Sequence, residues 1–349
     1  MSPAPRVLQA LAGAEHGGAE AFFDRLVGAL ARAGVTQHVL TRDHPTRLAR
    51  LRAAGLAPVA LRFGGWLDWT TRRRFRAEIA RFRPDLVLTW MSRATSFCPA
   101  PPVAGQRFLR VGRLGGYYDA KYYRGCDHLI ANTADICDWL VGQGFAPGTV
   151  HHLPNFVDAT PAPPVDRASL DTPAAAPLLL ALGRLHPNKA FDVLIDALAA
   201  LPDAYLWLAG EGNARAALAR RASERGVAAR LRWLGWRDDV PALLAAADIL
   251  VCASRHEPLG NVVIEGWAHG VAVVATVSQG PRALIRDTAD GLLVPIDDAG
   301  ALAAALRRLI DDTALRAALA RAGRARYEAA FTEQAVVRKY RAFFNQVCG

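Results

Sequence analysis

The sequence predicts an α/β protein of two doubly wound domains, each a parallel sheet wrapped by helices, and three observations support this. Short apolar runs typical of strands alternate with longer Ala-, Leu- and Arg-rich runs typical of helices. The alternation stops at a proline-rich stretch, residues 158–177, and then starts again. The length of 349 residues fits two domains of roughly 150 residues, each large enough to bury its own core.

The first domain, residues 1–160, begins with a strand and alternates strands with helices. Strands are expected at residues 6–10, 38–41, 59–63, 86–90, 108–111, 128–132 and 150–153. The helices between them include residues 19–33, 46–54, 71–82 and 135–142. This order favours one parallel sheet with helices packed on it.

The second domain, residues 175–332, repeats this order beyond the proline-rich stretch, which has no apolar period and predicts a linker. Strands are expected at residues 178–183, 205–209, 231–234, 249–253 and 272–276, and helices at residues 191–201, 215–225, 240–246, 261–269, 299–310 and 313–330. A last helix is expected at residues 333–347. Because ligands of doubly wound domains bind at the carboxyl ends of the strands, the cleft between the domains is the expected site.

The composition excludes several classes of protein. Hydrophobic residues make up 52% of the chain and charged residues 21%, which excludes a disordered protein. The longest nearly apolar run, residues 242–253, contains Asp248 and is too short to span a bilayer. The N-terminal residues lack the pattern of a signal peptide, and the five cysteines include no Cys-x-x-Cys pair. We therefore expect a cytoplasmic protein with neither a disulfide framework nor a zinc site.

The formal net charge of +10 is concentrated in the first domain, because residues 1–160 alone carry an excess of eight basic side chains. Such an excess attracts nucleic acid, an anionic membrane or a phosphorylated substrate. No nucleic-acid recognition motif accompanies it, so we expect no nucleic-acid partner. Aromatic residues and arginines alternate along residues 66–76, which run into a helical pattern of Phe75, Ile79 and Phe82. This segment is either an amphipathic contact with an anionic membrane surface or a helix whose aromatic side packs on its own domain.

Two glycines follow the first predicted strand and open the first helix. Gly17 and Gly18 allow a ligand to approach the backbone closely, and the helix N-terminus attracts an anion. A tight turn without a ligand explains the pair equally well. The segment is not the G-x-G-x-x-G fingerprint of nicotinamide-binding domains.

Two cations follow the first strand of the second domain. Arg184 and Lys189 lie five positions apart after Gly183, so they can converge on a diphosphate at the strand end. The alternative interpretation is a solvated loop between a strand and a helix.

Two carboxylates follow the apolar strand at residues 249–253. Glu257 lies in a loop that Pro258 and Gly260 shape, and Glu265 lies about one turn into the next helix. The two can accept hydrogen bonds from different hydroxyl groups of one elongated ligand. An ordinary amphipathic helix start is the alternative interpretation.

These motifs resemble a known family. Residues 183–198, 207–213, 234–270 and 290–295 resemble the donor half of the retaining GT-B glycosyltransferases of family 4, and the spacing of Glu257 and Glu265 matches the family's E-x7-E motif. In the first domain the likeness rests on the glycine pair and on residues 126–133 and 151–158, where Phe156 replaces the usual glycine. Within this family, the sequence more closely resembles the enzymes that build lipopolysaccharide cores and related glycolipids. The resemblance implies two Rossmann-like domains facing across a cleft, with the C-terminal helix, residues 333–349, crossing back to the first domain.

The resemblance also implies roles for individual residues. Arg184 and Lys189 would neutralise the donor diphosphate, Glu265 would accept from the ribose hydroxyls, and Glu257 would contact the transferred sugar. The remaining donor-binding residues implied are Gly17, Gly18, Gly183, Gly210, Glu211, Gly212, Trp236, Arg237, Leu259, Gly260 and Asn261. The first-domain histidine of many relatives has no counterpart here, so Arg93, Arg113 or Tyr117 are expected on the acceptor side instead.

The expected reaction needs no bound cofactor and no metal, since no D-x-D motif appears where a donor would lie. A UDP- or GDP-linked sugar would be the co-substrate, and a lipid-linked or saccharide acceptor would receive the sugar with retention of configuration. The expected location is the cytoplasm, with peripheral attachment to the inner face of the plasma membrane through residues 66–76. The alternatives are a GT-B nucleotide-sugar 2-epimerase and a non-catalytic protein that binds a nucleotide sugar or a polyanion.

Overall fold

The computed structural model describes residues 4–15, 17–157 and 159–349, which form two compact units. Unit 1 contains the described residues up to Phe156 together with Glu333–Gly349, and unit 2 is Val157–Thr332. Two residues of the predicted segments, His16 and Asp158, lie outside the described ranges.

Unit 1 is built on a parallel sheet of seven strands. The strands are β1 (Val7–Leu11), β2 (Gln37–Thr41), β3 (Val59–Ala60), β4 (Leu86–Trp90), β5 (Leu109–Leu114), β6 (His128–Ala131) and β7 (Val150–His152). They pair in the order β3-β2-β1-β4-β5-β6-β7. The helices that connect them are α1 (Gly18–Arg32), α2 (Pro45–Ala53), α3 (Trp69–Phe82), α4 (Met91–Phe97) and α5 (Ala134–Gly142).

Unit 2 repeats the arrangement with six parallel strands. The strands are β8 (Leu178–Leu182), β9 (Tyr205–Ala209), β10 (Leu231–Gly235), β11 (Ile249–Cys252), β12 (Ala272–Thr276) and β13 (Leu292–Val294). They pair in the order β10-β9-β8-β11-β12-β13. The helices are α6 (Phe191–Ala199), α7 (Arg215–Glu224), α8 (Val240–Ala246), α9 (Asn261–Ala268), α10 (Gln279–Leu284), α11 (Ala299–Asp311) and α12 (Thr313–Ala330).

The central strand of each sheet explains why both faces carry helices. Successive side chains of a strand point to opposite faces, and in β1 Val7 and Leu11 enter one core while Leu8 and Ala10 enter another. The residues of β8 divide between two cores in the same way. A strand that is apolar on both sides must be covered on both sides, which confirms the doubly wound prediction for each unit.

The last helix, α13 (Glu333–Cys348), packs in unit 1. Its buried side chains Tyr340, Phe343 and Phe344 join the core that contains Phe22 of α1. At its first turn Glu333 accepts a hydrogen bond from Arg32 at 2.7 Å. The predicted return of this helix to the first domain is confirmed.

The predicted linker at residues 158–177 is wrong, because its described part packs on unit 2. The Arg167 side chain donates to the carbonyl oxygen of Ala246 at 2.6 Å and pairs with Asp248 at 3.1 Å. Thr172 is buried and accepts a hydrogen bond from Trp207 Nε1 at 2.9 Å. Val165 and Leu170 also pack against the core of unit 2. These isolated contacts, polar and apolar, attach the segment without an apolar period in the sequence.

The segment at residues 66–76 packs partly on its own domain, and its contact with a membrane surface stays a prediction. Asp68 caps α3 by accepting from the backbone N–H of Thr71 at 2.9 Å, and Phe75 and Ile79 turn into the core. Trp66 and Trp69, by contrast, are 81% and 72% exposed. Within the described ranges, none of the helices combines the length and the hydropathy that a membrane crossing requires.

We expect unit 1 to lose stability as the pH falls below about 6.5. Burial lowers the pKa of His38, His151 and His152 from the usual 6.5, and the neighbouring His128 lowers that of His151 further. Below that pH the unfolded chain takes up protons that the folded chain does not, so the free energy of unfolding decreases. Thermal unfolding at pH 7.5 and 5.5 measures the loss, which the variant His151→Gln/His152→Gln should reduce. Equal losses in the variant and the parent chain would contradict this account.

Candidate functional site

The loop after β8 carries the two predicted cations. Pro187–Lys189 form a single 3-10 turn, which His186 caps by accepting from the backbone N–H of Asn188 at 3.2 Å. A Cβ atom on Gly183 would lie 3.1 Å from Lys189 Cε. The glycine therefore leaves the space through which the lysine side chain runs.

Two more predicted glycines fix this loop to its neighbour. A Cβ atom on Gly210 would collide with the carbonyl group of Gly183, and one on Gly212 would collide with the backbone of Leu185. Backbone hydrogen bonds join the same two loops, from Gly183 N to Ala209 O at 2.9 Å and from Leu185 N to Glu211 O at 2.8 Å. The ends of β8 and β9 thus form one closely packed surface that larger residues would push apart.

The loop after β11 is held against the same turn. The backbone N–H of Arg255 donates to Asn188 O at 2.8 Å, and its guanidinium forms two hydrogen bonds with Asp192, at 2.9 and 2.7 Å. Because β8 and β11 are adjacent strands, these contacts bring Glu257 to Lys189.

Lys189 and Glu257 form an ion pair at the centre of the site. Their side chains are only 23% and 12% exposed. Burial alone would lower the pKa of the Lys189 ammonium, but the neighbouring groups, Glu257 first among them, together outweigh burial and raise it. The lysine is therefore held charged in a poorly hydrated place, which makes it a strong partner for an anion.

The second carboxylate lies on α9. Gly260 begins this helix in the left-handed conformation, with φ of 76°, and its N–H donates to Glu257 Oε1 at 3.3 Å. Asn261 is the first residue of the helix, and Glu265 lies one turn further along. The charge of Glu265 also raises the pKa of Lys189, so both carboxylates act on the lysine.

The other predicted residues of unit 2 follow β8, β9 and β10, and their contact with a donor stays a prediction. Arg184 is exposed and, among the described residues, has no ion-pair partner. Glu211 is exposed as well. Trp236 is exposed and donates to Asp238 at 3.2 Å, whereas Arg237 forms two hydrogen bonds with Asp239 at 2.7 and 2.5 Å.

One residue that sequence reasoning missed is Gly280. A Cβ atom there would collide with the backbone of Leu259 and Gly260, and its N–H donates to the carbonyl oxygen of Glu257 at 2.7 Å. The start of α10 therefore supports the loop that carries Glu257. A glycine shortly after the predicted strand at residues 272–276 was the available signal.

In unit 1 the loop after β1 contains an internal carboxylate. Glu20 is buried and accepts a hydrogen bond from the backbone N–H of Ala14 at 3.0 Å. A Cβ atom on Gly13 or Gly17 would collide with the Glu20 side chain, so those glycines make room for it. Gly17 and Gly18 remain exposed at the start of α1, and their contact with a diphosphate stays a prediction.

The three residues predicted on the acceptor side are engaged by the protein. Arg93 donates to the carbonyl oxygens of Phe63 and Gly64, both at 3.2 Å. Tyr117 donates to Asp135 and stacks edge-on against Trp139.

Arg113 departs furthest from expectation, because it is only 2% exposed. It donates to Tyr340 Oη at 3.0 Å and to Asn155 Oδ1 at 2.5 Å, and its guanidinium lies over the rings of Phe22 and Trp90. Two of its three guanidinium nitrogens are thus bound by the protein. Among the described residues, Nη1 is the guanidinium nitrogen left without a hydrogen bond, and a role of Arg113 on the acceptor side stays a prediction.

No cluster of three or more His, Cys, Asp or Glu side chains suited to a metal ion occurs among residues 4–15, 17–157 and 159–349. The expectation of a metal-independent reaction stays a prediction.

Comparison with known proteins supports the resemblance. One family model, described as "Glycosyl transferases group 1", matches residues 176–312, and another, "Glycosyltransferase Family 4", matches residues 16–160. The chain is 37% identical over 332 residues to the lipopolysaccharide core biosynthesis glycosyltransferase LpsE of Rhizobium meliloti, covering 93% of this chain and 95% of that protein. It is 36% identical over 335 residues to LpsD of the same organism, covering 95% and 96%.

The crystal structure of Alr3699/HepE from Anabaena in complex with UDP is also similar. Its TM-score is 0.86 at 20% sequence identity, covering 98% of this chain and 100% of that one. This likeness shows the fold, so the predicted GT-B fold is confirmed.

Proposed function

Because the chain belongs to glycosyltransferase family 4, we propose that it transfers a sugar from a UDP- or GDP-linked donor to a saccharide acceptor of the lipopolysaccharide or glycolipid type, with retention of configuration. The observation that carries this proposal is the Lys189–Glu257 pair, with Glu265 one turn into α9. It lies at the carboxyl ends of β8 and β11, where the strand order of the sheet reverses and where such domains bind ligands.

The diphosphate of the donor is the anion that Lys189 and Arg184 would neutralise. Cleavage of the bond between the anomeric carbon and the phosphate oxygen places negative charge on the leaving diphosphate. A cation held in position beforehand stabilises that charge more strongly than water would. The ion pair with Glu257 holds the lysine in position. When the donor binds, the ammonium also pairs with the diphosphate.

The carboxylates suit the hydroxyl groups on either side of the diphosphate. Glu265, on the helix, would accept from the ribose of the nucleotide, and Glu257, in the loop, from the sugar that is transferred. A carboxylate only accepts hydrogen bonds, so the pair selects for hydroxyls and against further phosphates.

Besides these groups, the transfer needs a proton acceptor for the attacking hydroxyl of the acceptor. We assign that role to an oxygen of the leaving diphosphate: the carbon–phosphate-oxygen bond breaks, the new glycosidic bond forms on the same face, and the acceptor proton passes to the diphosphate. Lys189 and Arg184 supply the positive charge that a metal ion provides in other transferases.

A panel of nucleotide sugars in a thermal-shift assay tests the proposal. A donor at 100 times its dissociation constant adds about 2.7 kcal/mol to the stability of the folded state. We expect UDP- or GDP-linked sugars to raise the unfolding temperature. A panel without any stabilising member would contradict the proposal.

The acceptor would be reached at an anionic membrane surface. LpsE and LpsD are named for lipopolysaccharide core biosynthesis, and the exposed Trp66 and Trp69 lie beside the exposed Arg73 and Arg74 of α3. Interfacial tryptophans with neighbouring arginines attract a surface of anionic headgroups, at about 1 kcal/mol for each basic residue.

Replacing both tryptophans and both arginines by serine should release the protein from vesicles that contain an anionic lipid. Sedimentation with vesicles with and without that lipid measures binding. The control is Trp236→Ser, which removes a tryptophan of unit 2 that is 64% exposed. Unchanged sedimentation of the quadruple variant would exclude this surface.

A further inference from the structure

A polar recess lies in unit 1 where β5 and β6 end. A Cβ atom on Gly115 would lie 3.5 Å from Asn132 Nδ2 and 3.9 Å from both Arg113 Nη1 and Tyr118 Oη. Gly115 follows β5 directly and is half-exposed, so the recess opens to solvent on its side. The missing side chain of Gly115 keeps a small space open among three polar groups.

The Asn132 carboxamide is the unusual member of this group. Its residue is only 3% exposed, yet neither its oxygen nor its nitrogen has a hydrogen-bond partner among the described residues, and Oδ1 is fully buried. Buried side-chain amides in folded proteins nearly always have partners, because leaving one without them costs stability. Because this amide lowers the stability of the fold, packing does not explain its presence.

The neighbours of Asn132 have unused hydrogen bonds too. Arg113 donates through Nε and Nη2 to Tyr340 and Asn155, whereas Nη1, which faces the recess, makes no hydrogen bond with the described part of the chain. The Tyr118 hydroxyl has no partner there either. Burial raises the pKa of Tyr118, and the charges of Arg113 and Glu20 reach it as well.

We infer that this recess binds hydroxyl groups of a sugar, with Asn132, Tyr118 and Arg113 Nη1 as its hydrogen-bonding groups. This inference rests on the proposed function for the sugar's source, which is either the transferred sugar of the donor or the acceptor saccharide. The site also lies at the carboxyl ends of parallel strands, where ligands of such sheets bind.

The chemistry of the three groups favours hydroxyls over other ligands. The amide and the phenol each both donate and accept, and a hydroxyl group needs both kinds of partner. A phosphate would require several donors and no acceptor, and the nearby Glu20 carboxylate would repel it. A metal ion would be repelled by Arg113.

Gly115→Ala tests the inference without disturbing the fold. The new methyl group would meet its neighbours at ordinary van der Waals distances, and Gly115 has no left-handed backbone conformation that alanine would strain. It would occupy the space of a bound hydroxyl. We expect the KM for the sugar to rise at least about tenfold, while the affinity for UDP alone stays unchanged. The matched control is Gly148→Ala, at a glycine with open space around it.

Two kinetic measurements distinguish the sources of the sugar. Hydrolysis of the nucleotide sugar selected by the thermal-shift panel, without acceptor, reports on the donor. Transfer to a delipidated lipopolysaccharide core oligosaccharide reports on the acceptor. A raised KM in either measurement supports the recess as a sugar site, and unchanged values in both overturn it.

A stability measurement separates failure of this inference from failure of the proposed function, because it needs no activity. Asn132→Leu replaces the partnerless amide by an apolar side chain of the same branched shape and should raise the unfolding temperature by about 3 °C or more. Asn155→Leu removes an amide of the same size that is bound to Arg113, and it should lower that temperature. If Asn132→Leu lowers it as well, the amide is a structural group and the inference falls, whatever the wild-type chain catalyses.

Discussion

Replacing Lys189 by alanine lowers kcat/KM for the nucleotide sugar by on the order of 10²-fold or more, because the charge that meets the leaving diphosphate is removed from a poorly hydrated site. The measurement is steady-state release of the nucleoside diphosphate by the purified variant. Near-normal turnover would contradict the assignment of Lys189 to the leaving diphosphate.

The variant also leaves the Glu257 carboxylate mostly buried without its cation, so a structural effect has to be separated from a catalytic one. The double variant Lys189→Met/Glu257→Gln removes both charges. It should recover the stability that Lys189→Ala loses and still fail to turn over. Recovery of turnover together with stability would show that the pair only holds the two loops in place.

Replacing Arg113 by alanine should destabilise unit 1 by about 3–5 kcal/mol, since it opens a cavity and leaves buried hydroxyl and amide groups unpaired. Loss of the guanidinium contacts with Phe22 and Trp90 adds to this effect.

Urea unfolding followed by circular dichroism and tryptophan fluorescence measures the change. The matched control, Arg107→Ala, removes an exposed arginine near the start of β5 and should shift stability by less than about 0.5 kcal/mol. Equal stabilities for the two variants would mean that the contacts of Arg113 with α13 do not hold this helix in place.

Five of the six strands of unit 2 and its site loops could be predicted because each has a local signal, whereas the three-residue β13 was missed. The apolar runs give β9 and β12 with the predicted bounds, and the glycines and cations mark the loop after β8. The ion pair itself had no such signal, since Lys189 and Glu257 are 68 positions apart. It follows from the adjacency of β8 and β11, which is a property of the sheet.

The features that the sequence did not reveal share a physical cause. The burial of Arg113 has no local signal, since only the return of α13 supplies Tyr340 and covers the guanidinium. The stretch at residues 158–177 looks like a linker because isolated contacts, such as those of Arg167 with Ala246 and of Leu170 with the core, attach it. Short α4 and α10 lack an apolar period that would separate them from loops. Tertiary contacts, and not local preference, decide all of these cases.

Calorimetric titration with UDP tests the central claim, that unit 2 binds a nucleoside diphosphate at Lys189, Glu257 and Glu265. The account predicts saturable binding that Glu265→Ala weakens at least about tenfold, the effect of losing hydrogen bonds to a charged group. The control Glu224→Ala, at an exposed carboxylate of α7, should bind as the parent chain does. Equal affinities for the parent chain, Glu265→Ala and Lys189→Ala would contradict it.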